Sequence, residues 1–312
     1  MPKFSVVIPL YNKEKDIKTT LESLLNQEFK DFEILVVNDG STDGSENIVK
    51  NIDDERIQFF TKKNEGVSIA RNYGVEKANY EHIAFLDADD FWYPNHLKNL
   101  NTLIEKFPLE KWYATAYESK FPKGLLVTMN SPIMKKKEWF GIIENYFKYS
   151  YGSSLVWTSA VCFKKEFFNT LNGFCADITH GEDTDLWIRA ALSAPLGFCS
   201  IVSAKHNLDA SNRTTQVEIG NRNVINLNTY DAAAKINPYL KKFLDINRFS
   251  LALFAKLNNE NITFQILYKQ IHLNNLSKKQ HILLKTPTTV LRKLNSIKTF
   301  LNKRGTDFSV FK

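Results

Sequence analysis

The chain has 312 residues, 43% apolar and 24% charged, which is long enough for a full core and places it in the soluble globular class. No run of about 18 apolar residues occurs, which excludes a spanning helix, and the first residues lead into a strand without the architecture of a signal peptide. The net charge of +7 is uneven: residues 235–312 carry 15 Lys and Arg against 3 Asp and Glu, whereas residues 1–234 carry 26 against 31.

The chain alternates between two periodicities. Phe4 to Leu10 reads as a β-branched strand ending near Pro9, which has no N–H for a ladder. Lys15 to Gln27 predicts a helix with Ile17, Leu21, Leu24 and Leu25 on one stripe. Phe32 to Val37 is a second strand, Ser45 to Asn51 a helix, Ile57 to Phe60 a third strand and Val67 to Lys77 a helix. Ile83 to Leu86 is a strand covered on both faces that runs into Asp87-Ala88-Asp89-Asp90. This alternation predicts a doubly wound, mostly parallel α/β sheet. Right-handed crossovers bring Tyr11, Asp39, Asn64 and Asp87 to one edge, where open α/β sheets bind ligands.

Further along, Trp92 to Phe107 predicts a helix, Trp112 to Met129 strands, Val161 to Phe163 a strand, Phe167 to Phe174 a helix and Phe198 to Ser203 a strand. Asn207 to Thr215 reads as a loop, and from Val217 onward the pattern is helical, with breaks at Pro238 and Pro287. The expected division is therefore an α/β domain over residues 1–215, with halves 1–107 and 108–215, and a basic helical region over 216–312. The odd set Cys162, Cys175 and Cys199 has no metal-like spacing and reads as reduced thiols of a cytosolic protein.

Clustered carboxylates repel each other unless a cation or donor groups hold them. Oxygen ligands at Asp87 and Asp89 suit Mg²⁺ or Mn²⁺, ions that commonly bridge to substrate phosphates, although Asp-x-Asp alone is equally a solvated turn. A second acidic run, His180-Gly181-Glu182-Asp183, opens an amphipathic helix whose N-terminus favours negative charge.

Five stretches taken together resemble family 2 glycosyltransferases of the GT-A fold: Phe4 to Asn12, Val37 to Asp43, Asn64 to Asn72, Asp87 to Asp90, and Gly181-Glu182-Asp183-x-x-Leu186-Trp187-x-Arg189. The resemblance covers about residues 3 to 215 and implies an inverting transferase that takes a UDP-sugar with Mn²⁺ or Mg²⁺. Tyr11 would stack on uracil, and Asp39 would accept from its ring N–H. Pro9, Asn12, Asn64, Gly66 and Ala88 would complete the donor wall. Arg71 would reach a phosphate or brace Asp39. Asp87 would contact ribose or metal, and Asp89, with His206 near it, would hold the ion. Asp183 would be the general base, its pKa raised beside Glu182, or else a helix cap. Glu182, His180 and Trp187 fall on the acceptor side, Trp187 doubling as a packing residue.

The implied product belongs to a surface polysaccharide or glycolipid, made at the cytoplasmic face from a saccharide or lipid-linked acceptor, with no nucleic-acid partner. A non-catalytic sugar-nucleotide-binding scaffold and a nucleotidyltransferase are the rival classes. The second usually opens with a Gly-rich phosphate loop, which Pro9-Leu10-Tyr11-Asn12 does not resemble. After Pro287, Val290, Leu291, Leu294, Ile297 and Leu301 share a helix face, flanked by Phe300 and by Arg292, Lys293, Lys298, Lys303 and Arg304. That face docks either on an anionic membrane surface or on the protein itself.

Overall fold

A computed structural model describes residues 3–210 and 223–304. It divides into two compact units: one of Met1–Lys120, Thr128–Tyr146 and Leu155–Ile225, the other of Phe121–Val127, Phe147–Ser154 and Asn226–Lys312. The expected boundary near residue 215 lies outside the described residues.

The first unit is built on one sheet. Strands β1 (Phe4–Leu10) and β2 (Phe32–Asn38), with β3 (Ile57–Thr61) and β4 (His82–Phe85), alternate with helices α1 (Ile17–Leu25), α2 (Ser45–Lys50) and α3 (Val67–Lys77). Strand β5 (Phe91–Trp92), helix α4 (His96–Lys106) and strands β6 (Trp112–Lys120), β7 (Leu126–Thr128) and β8 (Phe140–Ile143) follow. After α5 (Tyr146–Tyr149) come strand β9 (Val161–Lys164), helices α6 (Lys165–Thr170) and α7 (Glu182–Ser193), and strand β10 (Leu196–Asn207).

The sheet order is β3-β2-β1-β4-β9-β6-β10-β5. The first four strands are mutually parallel, with Leu10 opposite Asn38 and Asn38 opposite Thr61, so the expected polar residues gather at one edge. Strand β9 runs antiparallel to both β4 and β6, and the far half of the sheet is mixed. Strands β1, β2 and β4 are almost wholly buried, as double coverage by helices requires. Strand β4 ends at Phe85, opposite Val7, and Leu86 N–H still donates to Val7 O at 3.1 Å. The chain then turns away, and that turn is the run of carboxylates.

Several expectations shift. Phe91–Trp92 is a strand paired with Ala204 and Lys205, so the helix expected from Trp92 begins only at His96. The reason is burial: Trp92 is fully enclosed, and its ring stacks on His96. The helix expected to run to Phe174 ends at Thr170, because Asn172 and Gly173 take left-handed conformations with φ of 60° and 61°. Strand β10 continues through Asn207, past the expected end at Ser203. The expected loop up to Thr215 and the start of the helical pattern at Val217 fall largely outside the described residues. Val224 makes an isolated parallel bridge to His180, so the chain there is extended.

The second unit is helical: α8 (Asp231–Ala234), α9 (Pro238–Leu257), α10 (Asn261–Gln270), α11 (Lys278–Lys285) and α12 (Thr288–Lys303). Asn237 caps α9 with Pro238 in its first turn, and a Ser277–Gln280 capping box opens α11. Phe249, Leu253, Leu283, Leu284 and Leu291 form its core. Asp245 and Arg248 are buried beside it, where Asp245 accepts from Lys241 and Asn275 at 2.7 Å each, and Arg248 donates to Asp231 at 2.7 Å.

The apolar stripe of α12 is split. Leu291 is fully buried and Leu294 partly so, whereas Val290, Ile297 and Phe300 are exposed, and the exposed Arg292 donates to Leu257 O. Among the described residues no helix is long and apolar enough to cross a membrane.

Helix α3 lies close against β1 and β2 because Gly74 has no side chain: a Cβ there would stand 2.4 Å from Val7 Cγ1 and 3.3 Å from Val37 Cγ2. Gly74→Ala should therefore destabilise the fold by about 1–3 kcal/mol through overpacking, despite the better helix propensity of alanine. Urea unfolding checks this, and a variant at least as stable as the parent would show that α3 is free to shift.

Candidate functional site

A cavity of about 600 Å³ opens at the sheet edge where β1, β2 and β4 end. Its wall includes Pro9, Tyr11, Asp39, Asn64, Gly66, Arg71, Asp87, Ala88, Asp89, His180, Glu182, Asp183 and His206. Most of the residues singled out from the sequence therefore share one pocket of the size small-molecule sites usually have.

Asp39 follows the last residue of β2 and is nearly buried. Its Oδ1 accepts from Lys62 Nζ at 2.8 Å and from Glu65 N–H at 3.0 Å, and its Oδ2 from Gly66 N–H at 2.8 Å. Lys62 therefore does what was expected of Arg71 as a brace for Asp39. Gly66 caps α3 at φ 97°, a conformation costly for any side chain, and this aims its N–H at Asp39. Asn12 does not line the cavity. Its Oδ1 accepts from Thr42 N–H at 2.7 Å, and its own N–H donates to Ser41 Oγ, so it holds the loop after β2. Tyr11 is 42% exposed, leaving its ring available for stacking.

Arg71 is the pivot of the site. Its side chain is 5% exposed; Nη2 donates to Asp87 Oδ1 at 2.6 Å and Nη1 lies 3.6 Å from Glu182. Burial works against its charge, but Asp87 and Glu182 outweigh it and leave the guanidinium pKa raised. Nε and Nη1 have no hydrogen-bond partner among the described residues. The neighbouring Asn72 donates to Phe174 O and accepts from Phe174 N–H, tying α3 to the segment before α7.

Asp90 had no expected role and proves to be an anchor. Its Oδ2 accepts from Ser159 Oγ at 2.5 Å and Trp157 Nε1 at 2.9 Å, and its Oδ1 from Asn207 N–H at 2.9 Å. Ser159 Oγ in turn accepts from Asp87 N–H at 3.0 Å. Burial, reinforced by Asp87, pushes the Asp90 carboxyl up to about 6. Asp89 is likewise pushed up to about 6 by burial and by Asp90, against the pull of Lys13.

Helix α7 opens at Glu182 with Gly181 as its cap at φ 86°, where a Cβ would meet Ile225 Cγ2 at 2.7 Å. Asp183 is thus inside the first turn and is not the cap; its Oδ1 accepts from Thr184 N–H at 2.6 Å. Burial and the Asp183 charge raise the pKa of Glu182 against the pull of Arg71. Arg189 donates to Asp185 and to the carbonyls of Leu171 and Gly173, so this part of the acidic run is scaffold. Trp187 is 1% exposed and stacks on Trp112 and Phe163, so the packing role expected of it holds, and it belongs to the core and not to the acceptor side.

His206 sits in β10 with its ring stacked on Trp157, 3.8 Å between centroids. Among the described residues no three carboxylate, imidazole or thiol groups converge on a metal position, so His206 does not complete a cage with Asp87 and Asp89. An ion held by one or two carboxylates and a diphosphate needs no such cage, and Asp87 and Asp89, both on the cavity wall, fit that requirement. Sequence reasoning passed over Lys13, Lys62, Asp90 and Trp157. Lys13 lies in the mixed-charge run Lys13-Glu14-Lys15-Asp16, Lys62 has a like neighbour in Lys63, and Trp157 lies in a segment without periodicity.

Residues 5–146 match the model of Glycosyl transferase family 2. An uncharacterized glycosyltransferase of Rickettsia bellii (strain RML369-C) is 33% identical over 247 residues, covering 77% of this chain and 34% of that protein. The GalNAc(5)-diNAcBac-PP-undecaprenol beta-1,3-glucosyltransferase of Campylobacter jejuni is 39% identical over 94 residues, 29% of this chain and 30% of that one. The chain spans about a third of the length of the curated relatives it matches most extensively. The crystal structure of S. aureus TarS with UDP-GlcNAc superposes with a TM-score of 0.60 over 79% of this chain and 66% of that one, at 20% identity. That likeness shows the shared fold, the expected GT-A arrangement.

Removing the guanidinium should leave two partly buried carboxylates without their cation. Arg71→Met is expected to cost about 3 kcal/mol in urea unfolding. Adding Asp87→Asn should recover part of that loss, as a double-mutant cycle for a direct pair requires. Additive losses would mean that the pair contributes nothing jointly.

Proposed function

We propose that this chain is a family 2 glycosyltransferase that moves a sugar, with inversion, from a UDP-sugar to a saccharide or lipid-linked acceptor in surface polysaccharide synthesis. The observation that carries the reading is the single cavity that joins the strand-end residues Tyr11, Asp39, Arg71, Asp87 and Asp89 to the acidic pair Glu182 and Asp183. The family match covers the first of these groups, and the solved relative binds UDP-GlcNAc.

In this reading Tyr11 stacks on the uracil, and Asp39, held by two N–H groups and Lys62, accepts from the ring N–H. The unsatisfied Nε and Nη1 of Arg71 point to a phosphate oxygen as their missing acceptor. Asp183 takes the proton from the acceptor hydroxyl as that oxygen attacks the anomeric carbon, and UDP leaves from the opposite face. Glu182, paired with Arg71, fixes the start of α7 and thereby the place of Asp183. Mn²⁺ or Mg²⁺ held by Asp89, with Asp87 beside it, would supply positive charge to the departing diphosphate when bound. The name of the C. jejuni relative, with its undecaprenol-linked saccharide, supports a lipid-linked acceptor. His180 lines the same cavity, and in this reading it faces that acceptor.

The first test is a panel of UDP-sugars followed by UDP release, with and without chelator. Asp183→Asn should keep UDP binding while transfer falls by about 10²-fold or more. Equal loss of both would make Asp183 structural, and UDP-sugar binding without any turnover would favour a scaffold.

The exposed half of α12 supports docking at the cytoplasmic face of an anionic membrane. Val290, Ile297 and Phe300 are exposed, and Lys293 and Arg304 accompany them in a region of net charge +12. Because Leu291 is a core residue, substitution tests this better than truncation. Ile297→Glu with Phe300→Glu should abolish binding to anionic vesicles at low salt and leave UDP binding intact. Absence of vesicle binding by the parent would remove this part of the proposal.

A further inference from the structure

Lys13 has no part in the reading above, yet it holds the central carboxylate of the site. Its ammonium donates to Asp89 Oδ2 at 2.7 Å, with the two side chains 12% and 16% exposed, and both residues line the cavity. Both ends of the pair are fixed by one helix. Lys13 O accepts from the N–H groups of Asp16 and Ile17 where α1 begins, and Lys13 N–H donates to Ser45 Oγ at 2.7 Å. Within the same helix, Thr20 Oγ1 is 3.0 Å from Ala88 O and 2.8 Å from Asp90 O, so the backbone on either side of Asp89 hangs on α1 as well. The separation of ammonium and carboxylate is therefore set when the fold forms, and the pair needs little further ordering.

This geometry places a monovalent cation on the carboxylate that a divalent ion would need. Holding both at Asp89 Oδ2 would set two cations against each other at close range. The turn does not depend on Lys13 for its shape, since Thr20 already fixes it and Asp90 is held by Ser159, Trp157 and Asn207. A flexible four-carbon stem on a fixed backbone suits a charge that changes partner. We propose that Lys13 is the resident counter-ion of the donor site: it holds Asp89 while no divalent ion is present, and passes to the donor's diphosphate when one takes that carboxylate. This rests on the glycosyltransferase reading, and it predicts competition between the lysine and the ion where a merely structural lysine predicts none.

The test uses the full chain and the variants Lys13→Met, Lys13→Gln and Lys13→Arg, each checked for thermal unfolding. Mn²⁺ binding to the donor-free protein is followed by electron paramagnetic resonance, and UDP binding at saturating Mn²⁺ by calorimetry. Both neutral variants should bind Mn²⁺ about tenfold more tightly without donor and bind UDP in the presence of Mn²⁺ about tenfold more weakly, each the size expected for one close charge pair. Lys13→Arg should restore UDP binding. The gain in Mn²⁺ affinity should vanish when Asp89→Ala is added. If the parent binds no UDP under any condition, the glycosyltransferase reading fails. If the parent binds UDP and the folded neutral variants match it in either titration, Lys13 exchanges no partner and the proposal is overturned.

Discussion

The site depends on one buried guanidinium. Arg71 projects from α3, whose close seat on the sheet is permitted by Gly74, and it meets Asp87 from the end of β4 and Glu182 from the start of α7. Three elements distant in sequence are thereby held around a common charge. Buried carboxylates this close would otherwise take up protons or move apart. Asn72 reinforces the arrangement through main-chain atoms of Phe174, so α3 is bonded to the α7 approach by two adjacent residues. The geometry of the putting-together is thus electrostatic, while its precision comes from packing.

Negative charge at the sheet edge is distributed unevenly among its partners. Asp39 is satisfied by two backbone N–H groups and a lysine, Asp90 by a hydroxyl, an indole and a backbone N–H, and Asp87 by Arg71. Asp89 stands at the cavity with Lys13 as its ionic partner, and its pKa is raised by burial first and by the neighbouring Asp90 second. The same cluster therefore contains carboxylates that build the wall and one, Asp89, that faces the cavity on an ionic contact with Lys13. Distinguishing them needs the hydrogen-bond geometry, because in the chain they are neighbours of the same type.

Sequence patterning revealed the parallel half of the fold because each of its strands is buried on both faces and each helix carries a distinct stripe. Val67 to Lys77 coincides with its helix. The mixed half was less legible: Phe91–Trp92 is too short to show an alternation, and Asn172-Gly173 overrides a helical pattern with backbone conformation alone. At the site, Tyr11, Asp39, Asp87, Asp89 and Asp183 were recognisable by residue type and order, and they do share a cavity. What could not be read was function by neighbour. Asn12 braces a loop, and Lys62 takes one of the two places foreseen for Arg71, the brace of Asp39. The stripe on α12 likewise read as one face, although only its Leu291 edge is covered.

The second unit is assembled from three separated stretches, since Phe121–Val127 and Phe147–Ser154 belong with Asn226–Lys312. Phe147 packs on Phe243, and Tyr151 donates to Tyr239 O. During synthesis those early segments leave the ribosome about a hundred residues before their helical partners exist, a delay of several seconds at usual elongation rates. Their apolar side chains stay uncovered through that interval. For the same reason, a fragment that stops near residue 225 is not an isolated α/β domain: it retains two orphaned pieces of a unit whose remainder has been removed.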